Sequence, residues 1–309
     1  MHTALFTHVA CLDHDPGQGH PESPARLKAV LAALDDDEFA TLKRREAPRA
    51  TIDQISRMHP RDYVTQVLEH IPQTGAVRLD ADTIVSAGSG EATLRAAGAI
   101  CAAVDAVVAG EVKNAFCAVR PPGHHAEPTI PMGFCVFNNV ALGAAQARTE
   151  HGLNRIAVVD FDVHHGNGTQ AMFQNDANLF FASTHQSPLY PGTGAAHEHG
   201  CANNIVNAPL APSDGSAAFR RAMTETILPA LHQFSPDMLF ISAGFDAHTD
   251  DPLASLNFTD DDYSWATRQL VDAAATLCGG RLVSTLEGGY DLAALGRSAA
   301  LHVRALMSA

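Results

Sequence analysis

The chain has 309 residues, 46% of them hydrophobic and 17% charged, and 34 Asp and Glu against 20 Lys and Arg leave a net charge of −14. This is a globular composition, which excludes a disordered chain, and the acidic balance, with no basic run longer than Lys43-Arg44-Arg45, argues against nucleic-acid binding. The longest apolar stretch, Ala96 to Ala109, contains Asp105 and is too short to span a bilayer.

The length suits one large α/β domain, and with no linker and no repeat period, residues 1–309 read as a single domain. The cysteines Cys11, Cys101, Cys117, Cys135, Cys201 and Cys278 form no CxxC pair and read as free thiols in a reducing compartment. The N-terminus lacks a basic segment followed by an apolar core, so no signal peptide is expected and a cytoplasmic location is.

The first strand is expected at Leu5 to Val9, followed by a Pro/Gly-rich loop through Pro24, which opens a helix ending near Leu34. Residues 35–50 read as irregular, with a short strand near Leu42. Thr51 to Met58 and Arg61 to His70 read as short helices, and Ile71 to Gly90 as a long surface loop. Ser89 to Val108 is an Ala-rich helix packed closely on a sheet. Ala115 to Val119 is a strand that ends in Arg120-Pro-Pro-Gly-His-His, and Asn138 to Thr149 is a helix.

Ile156 to Val159 is a buried parallel strand, and it ends in Asp160-Phe-Asp-Val-His-His-Gly-Asn-Gly. Leu179 to Ser183 is the next strand, ending in Thr184-His185. A long helix opens at Ser213 and runs to about His232. Met238 to Ser242 is a strand ending at Asp246, Asp260 caps a helix to about Leu277, and Leu282 to Leu286 leads into Glu287-Gly-Gly-Tyr. Leu292 to Leu306 closes the chain. Alternating strands and helices predict an α/β fold with a parallel sheet and helices on both faces.

Five strand ends thus carry polar clusters, and ligands in such folds bind outside the carboxyl ends of the strands. Asp162 and His164 alternate onto one face of the chain, and with Asp246 they offer two carboxylates and one imidazole to a metal. Three ligands leave a position open, as in a catalytic site. Zinc is the default, and Fe(II), Co(II) or Mn(II) tolerate the same donors. The tandem His124-His125 suits proton transfer, with Asp160 and Asn167 as candidate tautomer-setting partners. Tyr290, after Gly288 and Gly289, can donate to a developing oxyanion. The plainer alternatives are a turn cap for Asp246, surface histidines at 124 and 125, and an interfacial Tyr290.

These motifs, with Gly133-Phe-Cys-Val-Phe-Asn-Asn, Ser242-Ala-Gly-Phe-Asp-Ala-His, Asp251-Pro-Leu and His20-Pro-Glu-Ser-Pro, resemble the histone deacetylase superfamily, most closely its class II branch and the bacterial class II-like amidohydrolases. The likeness runs from His20 to the final helix. It implies a three-layer α/β/α domain with an eight-stranded, mostly parallel sheet. It also implies zinc on Asp162, His164 and Asp246, His125 as general base and acid, and His124 as its electrostatic partner. Asp160 would bond His124, Asn167 would orient His125, and Tyr290 would polarise the acetyl carbonyl. Gly133, Phe134, Tyr190 and Gly289 would contact the acyl-lysine substrate, Asp82 would be the rim acid, and Arg26 the arginine of an acetate-exit channel. A potassium ion would take backbone oxygens of Asp160, Asp162, His164 and Thr184 with the Ser183 hydroxyl. His165 reads as structural.

The implied activity is hydrolysis of an N-acetyl amide, on an acetylated lysine peptide or protein or on an acetylated small amine, with no nucleic-acid or membrane partner and with a possible homo-oligomer. The alternatives are an acetylpolyamine amidohydrolase, a weakly catalytic acetyl-lysine binding module, and an arginase-like ureohydrolase. Tyr290 argues against the binding module, and the two histidines with Tyr290 argue against the ureohydrolase.

Overall fold

Apolar runs at the expected strand positions pair side by side because each is buried on both faces and must satisfy its backbone groups through a neighbour. The structure, a computed structural model, describes residues 2–309. Its strands are β1 (Thr3–Thr7), β2 (Lys43–Glu46), β3 (Ala76–Arg78), β4 (Ile84–Ser86), β5 (Asn114–Cys117), β6 (Ile156–Asp160), β7 (Leu179–Gln186), β8 (Ile205–Leu210), β9 (Met238–Ala243) and β10 (Leu282–Leu286). Eight of them form one sheet in the order β2-β1-β5-β10-β9-β6-β7-β8. This is the expected eight-stranded parallel sheet, and every pairing between neighbours in it is parallel.

The helices are α1 (Pro24–Ala33), α2 (Ile52–Ile55), α3 (Arg61–Glu69), α4 (Ser89–Val108), α5 (Asn139–His151), α6 (Asn167–Phe173), α7 (Ser216–Ala222), α8 (Leu228–Phe234), α9 (Asp260–Cys278) and α10 (Leu292–Met307). They cover both faces of the sheet. In one layer α4 packs on α5 and on β1, β5 and β10; in the other, α10 packs between α1 and α9. Small residues on α4 permit this closeness: Gly98 lies against the backbone of Pro48, leaving no room for a side chain. None of the described helices is long and apolar enough to cross a membrane.

Several local expectations are corrected. The first strand ends at Thr7, because the His8 ring accepts from Ala10 N–H and starts a short 3-10 turn over Val9–Leu12. The stretch expected to be a loop between Ile71 and Gly90 holds the antiparallel β3–β4 hairpin; β3 is exposed throughout, so no burial pattern betrays it. Strand β8 was not expected. It is an edge strand carrying Pro209, a residue that edges tolerate and central strands do not. Helix α6 was also missed, its start masked by Gly166 and Gly168. The helix expected from Ser213 begins at Ser216 and passes through a π turn over Met223–Ile227 into α8. Thr259, rather than Asp260, caps α9, in a capping box with Asp262.

The topology places the site. Strands β5, β10, β9, β6 and β7 occupy consecutive places in the sheet, although β9 and β10 come last in the chain. Their carboxyl ends carry the five polar clusters, which therefore form one rim.

Candidate active site

Strand β6 leads directly into the cluster. Asp160, its last residue, is fully buried, and Asp162 and His164 follow it, both buried. Asp246 arrives from the end of β9, where its Oδ1 accepts from Val163 N–H at 2.9 Å. His164 Nδ1 lies 3.2 Å from Asp162 Oδ1 and 3.1 Å from Asp246 Oδ2. One ligand atom from each of the three residues lies within 4.8 Å of the others. Two buried carboxylates turned onto one imidazole nitrogen, with no Lys or Arg among the three, are a donor set that fits a divalent cation such as zinc. Burial opposes charge on His164, but its hydrogen bonds to Asp162 and Asp246 prevail and push it up to about 10.

His124 and His125 follow the end of β5, with ring centroids 4.0 Å apart. His124 Nδ1 donates to Asp160 Oδ2 at 2.9 Å, and His125 Nδ1 donates to Asn167 Oδ1 at 2.8 Å. The two rings titrate in opposite directions. Burial works against charge on His124, yet Asp162, Asp160 and Glu287 raise it well above its usual value. Burial, together with the positive potential of His124 and His164, holds His125 well below. Environments that push neighbouring groups apart in this way mark an acid/base pair.

Tyr290 is half-buried at the end of β10, and burial keeps its phenol protonated, able to donate. The Arg26 guanidinium lies 4.8 Å over its ring and donates to the carbonyls of Gly289 and Glu287. Gly288 N–H donates to Asp162 Oδ2 at 2.8 Å, tying this turn to the β6 loop. A Cβ on Gly288 would overlap the carboxylates of Asp246 and Asp162, so only glycine fits there.

Phe134, at φ 68°, packs its ring on His20 and Tyr290. Tyr190, 38% exposed, stands against His125 and His164 at 5.2 and 6.2 Å. Gly133 lies against the His125 ring, where a Cβ would clash. Asp82 Oδ1 accepts from Gly133 N–H at 3.0 Å, so the hairpin that carries it touches this wall. The structure thus brings Asp162, His164 and Asp246 together with His124, His125, Asp160, Asn167 and Tyr290, and sets Gly133, Phe134, Tyr190 and Asp82 beside them.

The carbonyl oxygens of Asp162 and His164 accept no hydrogen bond among the described residues, leaving them available to a monovalent cation. The Ser183 hydroxyl, by contrast, pairs with His185 Nδ1 at 2.9 Å. His165 is satisfied by Thr193 and Gln170, in keeping with a structural reading.

Two buried acids of this region had no role in the sequence reading. Glu287 Oε2 accepts from the N–H groups of Gly123 and His124 at 2.7 and 3.1 Å, and burial pushes it up to about 7. Glu22, fully buried, bonds both Arg26 and Arg120; burial opposes its charge, but Arg120 and His14 hold it well below the usual range. Their signal was present, since each sits inside a quoted motif, His20-Pro-Glu-Ser-Pro or Glu287-Gly-Gly-Tyr.

The histone deacetylase domain family matches residues 20–306. A histone deacetylase-like amidohydrolase of Pseudomonas aeruginosa is 40% identical, over 94% of this chain and 82% of its own length. A probable deacetylase of Archaeoglobus fulgidus is 39% identical, with the same two coverages of 94% and 82%. The crystal structure of the HDA15 HD domain superposes with a TM-score of 0.93 at 34% identity, over 99% of this chain and 88% of that one.

Proposed function

The chain belongs to the histone deacetylase family, and from that premise we propose that it is a zinc-dependent deacetylase that hydrolyses N-acetyl amides, acetyl-lysine side chains foremost, to a free amine and acetate. The observation that carries this reading is the meeting of a three-ligand donor set, a neutral imidazole and a phenol at one sheet rim.

Asp162, His164 and Asp246 are the residues that would hold the metal. A bound zinc ion supplies Lewis acidity toward the amide carbonyl and the attacking water. With Nδ1 committed to Asn167, His125 keeps Nε2 as its free acceptor. It takes the proton of the attacking water and returns it to the departing nitrogen, completing hydrolysis of the C–N bond. His124, held to Asp160, keeps positive potential beside it and so keeps His125 neutral until it acts. The Tyr290 hydroxyl donates to the oxyanion of the tetrahedral intermediate. Phe134 and Tyr190 flank the acyl-lysine stem, with Gly133 and Gly289 providing close backbone approach, and Asp82 at the Gly133 wall accepts an N–H of the substrate. Backbone oxygens of Asp160, Asp162, His164 and Thr184, with the Ser183 hydroxyl, would hold a potassium ion, which would supply a fixed positive charge beside the metal loop.

A fluorogenic acetyl-lysine peptide, assayed with and without chelator and in parallel with acetylpolyamines, tests the reading. Chelator-sensitive turnover of the peptide is expected. Tight binding of the peptide without turnover would show a binding module instead, and turnover confined to the polyamines would reassign the substrate.

A further inference from the structure

We propose that Asp251 is a positioning residue that holds Tyr290 where its hydroxyl serves the reaction, an inference that rests on the oxyanion role proposed above for that tyrosine. Tyr290 follows Gly288 and Gly289, and Gly289 sits at φ 122°, a conformation that side chains rarely adopt. Two glycines in succession give little intrinsic restraint to the residue after them, so its position has to be imposed from outside the turn.

Asp251 lies on the loop between β9 and α9 and is only 7% exposed. Its Oδ2 accepts from the backbone N–H of Tyr290 at 2.7 Å and of Asp291 at 3.3 Å. Its Oδ1 accepts from Leu253 N–H at 3.0 Å, and its own N–H donates to the His248 carbonyl at 2.9 Å, so the carboxylate is itself fixed. The same loop is strapped to α10. His248 Nε2 stands 3.2 Å from Asp260 Oδ1, and Arg297 Nε and the Ser298 hydroxyl donate to Asp260 at 2.8 and 2.9 Å. Tyr290 sits at the junction between the glycine turn and α10. Arg26 fixes the turn through the carbonyls that precede Tyr290, and Asp251 fixes it through the N–H groups of Tyr290 and Asp291. These bonds run through the backbone, so Asp251 acts on the reaction only by placing the phenol.

The test is a double-mutant cycle in steady-state kinetics, on the zinc-loaded full chain with an acetyl-lysine peptide. Asp251→Ala should lower kcat by about ten- to hundredfold, the scale of a misplaced catalytic group, with KM changed by less than about threefold. In a Tyr290→Phe background the same substitution should cost less than about twofold, because the group it positions is already gone. Asp251→Asn, which keeps an acceptor oxygen, should recover most of the lost kcat. Asp251→Ser, too short to reach Tyr290 N–H, takes the place of Asp251→Ala if that variant does not fold. Equal losses in both backgrounds, or wild-type kcat in a folded Asp251→Ala or Asp251→Ser protein, overturn the proposal and leave the tyrosine's role standing. Wild-type kcat in Tyr290→Phe alone removes both.

Discussion

The amide oxygen of Asn167 accepts a hydrogen bond from Nδ1 of His125 at 2.8 Å. A neutral acceptor fixes the tautomer without adding charge, which leaves burial, His124 and His164 free to hold His125 low. Replacing Asn167 with Asp puts a carboxylate at that nitrogen and favours the imidazolium. A general base must be deprotonated to act, so the acidic limb of the kcat/KM profile should move to higher pH in Asn167→Asp. An unmoved limb would separate His125 from the base.

Tyr290→Phe removes the hydroxyl proposed as the oxyanion donor and leaves the ring under Arg26. Turnover should fall by about a hundredfold or more, as for other donors of this kind, with KM little changed. Full activity in this variant would end the assignment.

Gly133 sits at φ 57°, with the His125 ring in the space a side chain would take. Gly133→Ala should displace the His125 ring and also strain the backbone, costing on the order of a hundredfold in kcat for a shift of about 1 Å. The melting temperature should fall as well. Kinetics and thermal melting on one preparation check both outcomes.

The carboxylates of Asp162 and Asp246 are buried together, so a divalent cation bound by them would relieve their repulsion. Chelation should abolish turnover, and added zinc should restore it. Zinc at a thousandfold excess over its dissociation constant should stabilise the fold by about 4 kcal/mol. Asp246→Asn should erase the zinc-dependent rise in melting temperature. A zinc-independent melting temperature in the wild-type protein would argue against this donor set.

His59 is buried, with Nδ1 donating to the Pro128 carbonyl at 3.1 Å and Nε2 accepting from Asn138 N–H at 2.9 Å. Both nitrogens are thus used by the neutral ring, and burial lowers it to about 4. His302 is lowered to about 3 for the same reason. A histidine depressed in the folded state contributes stability that is present above its unfolded value near 6.5 and lost as pH falls through the folded value. For His59 the loss is about 3 kcal/mol across that window. Melting temperature should therefore drop between about pH 6.5 and 4, and His59→Gln should flatten the drop. A slope unchanged by that substitution would clear His59 of the effect.

Much of this fold was legible because its strands are continuous apolar runs, and a strand buried on both faces has few other ways to be written. Ile156 to Asp160 shows the rule. The misses share a cause too. The exposed β3 lacks the burial that writes a pattern, the edge strand β8 buries a polar Asn207 between Ile205 and Leu210, and α6 begins between two glycines.

By itself the sequence determined which residues meet at the rim. Each cluster directly follows an apolar strand, and parallel strands send their carboxyl ends to the same side. Only the tertiary structure decided how those residues divide the work. Adjacent histidines have the same chemistry until one faces the carboxylate of Asp160 and the other the amide of Asn167. Asp251 lies 39 positions before Tyr290, and nothing in their spacing links them. Their hydrogen bond exists because the chain inserts β9 and β10 next to each other, late, into the middle of a sheet already bounded by β5 and β6.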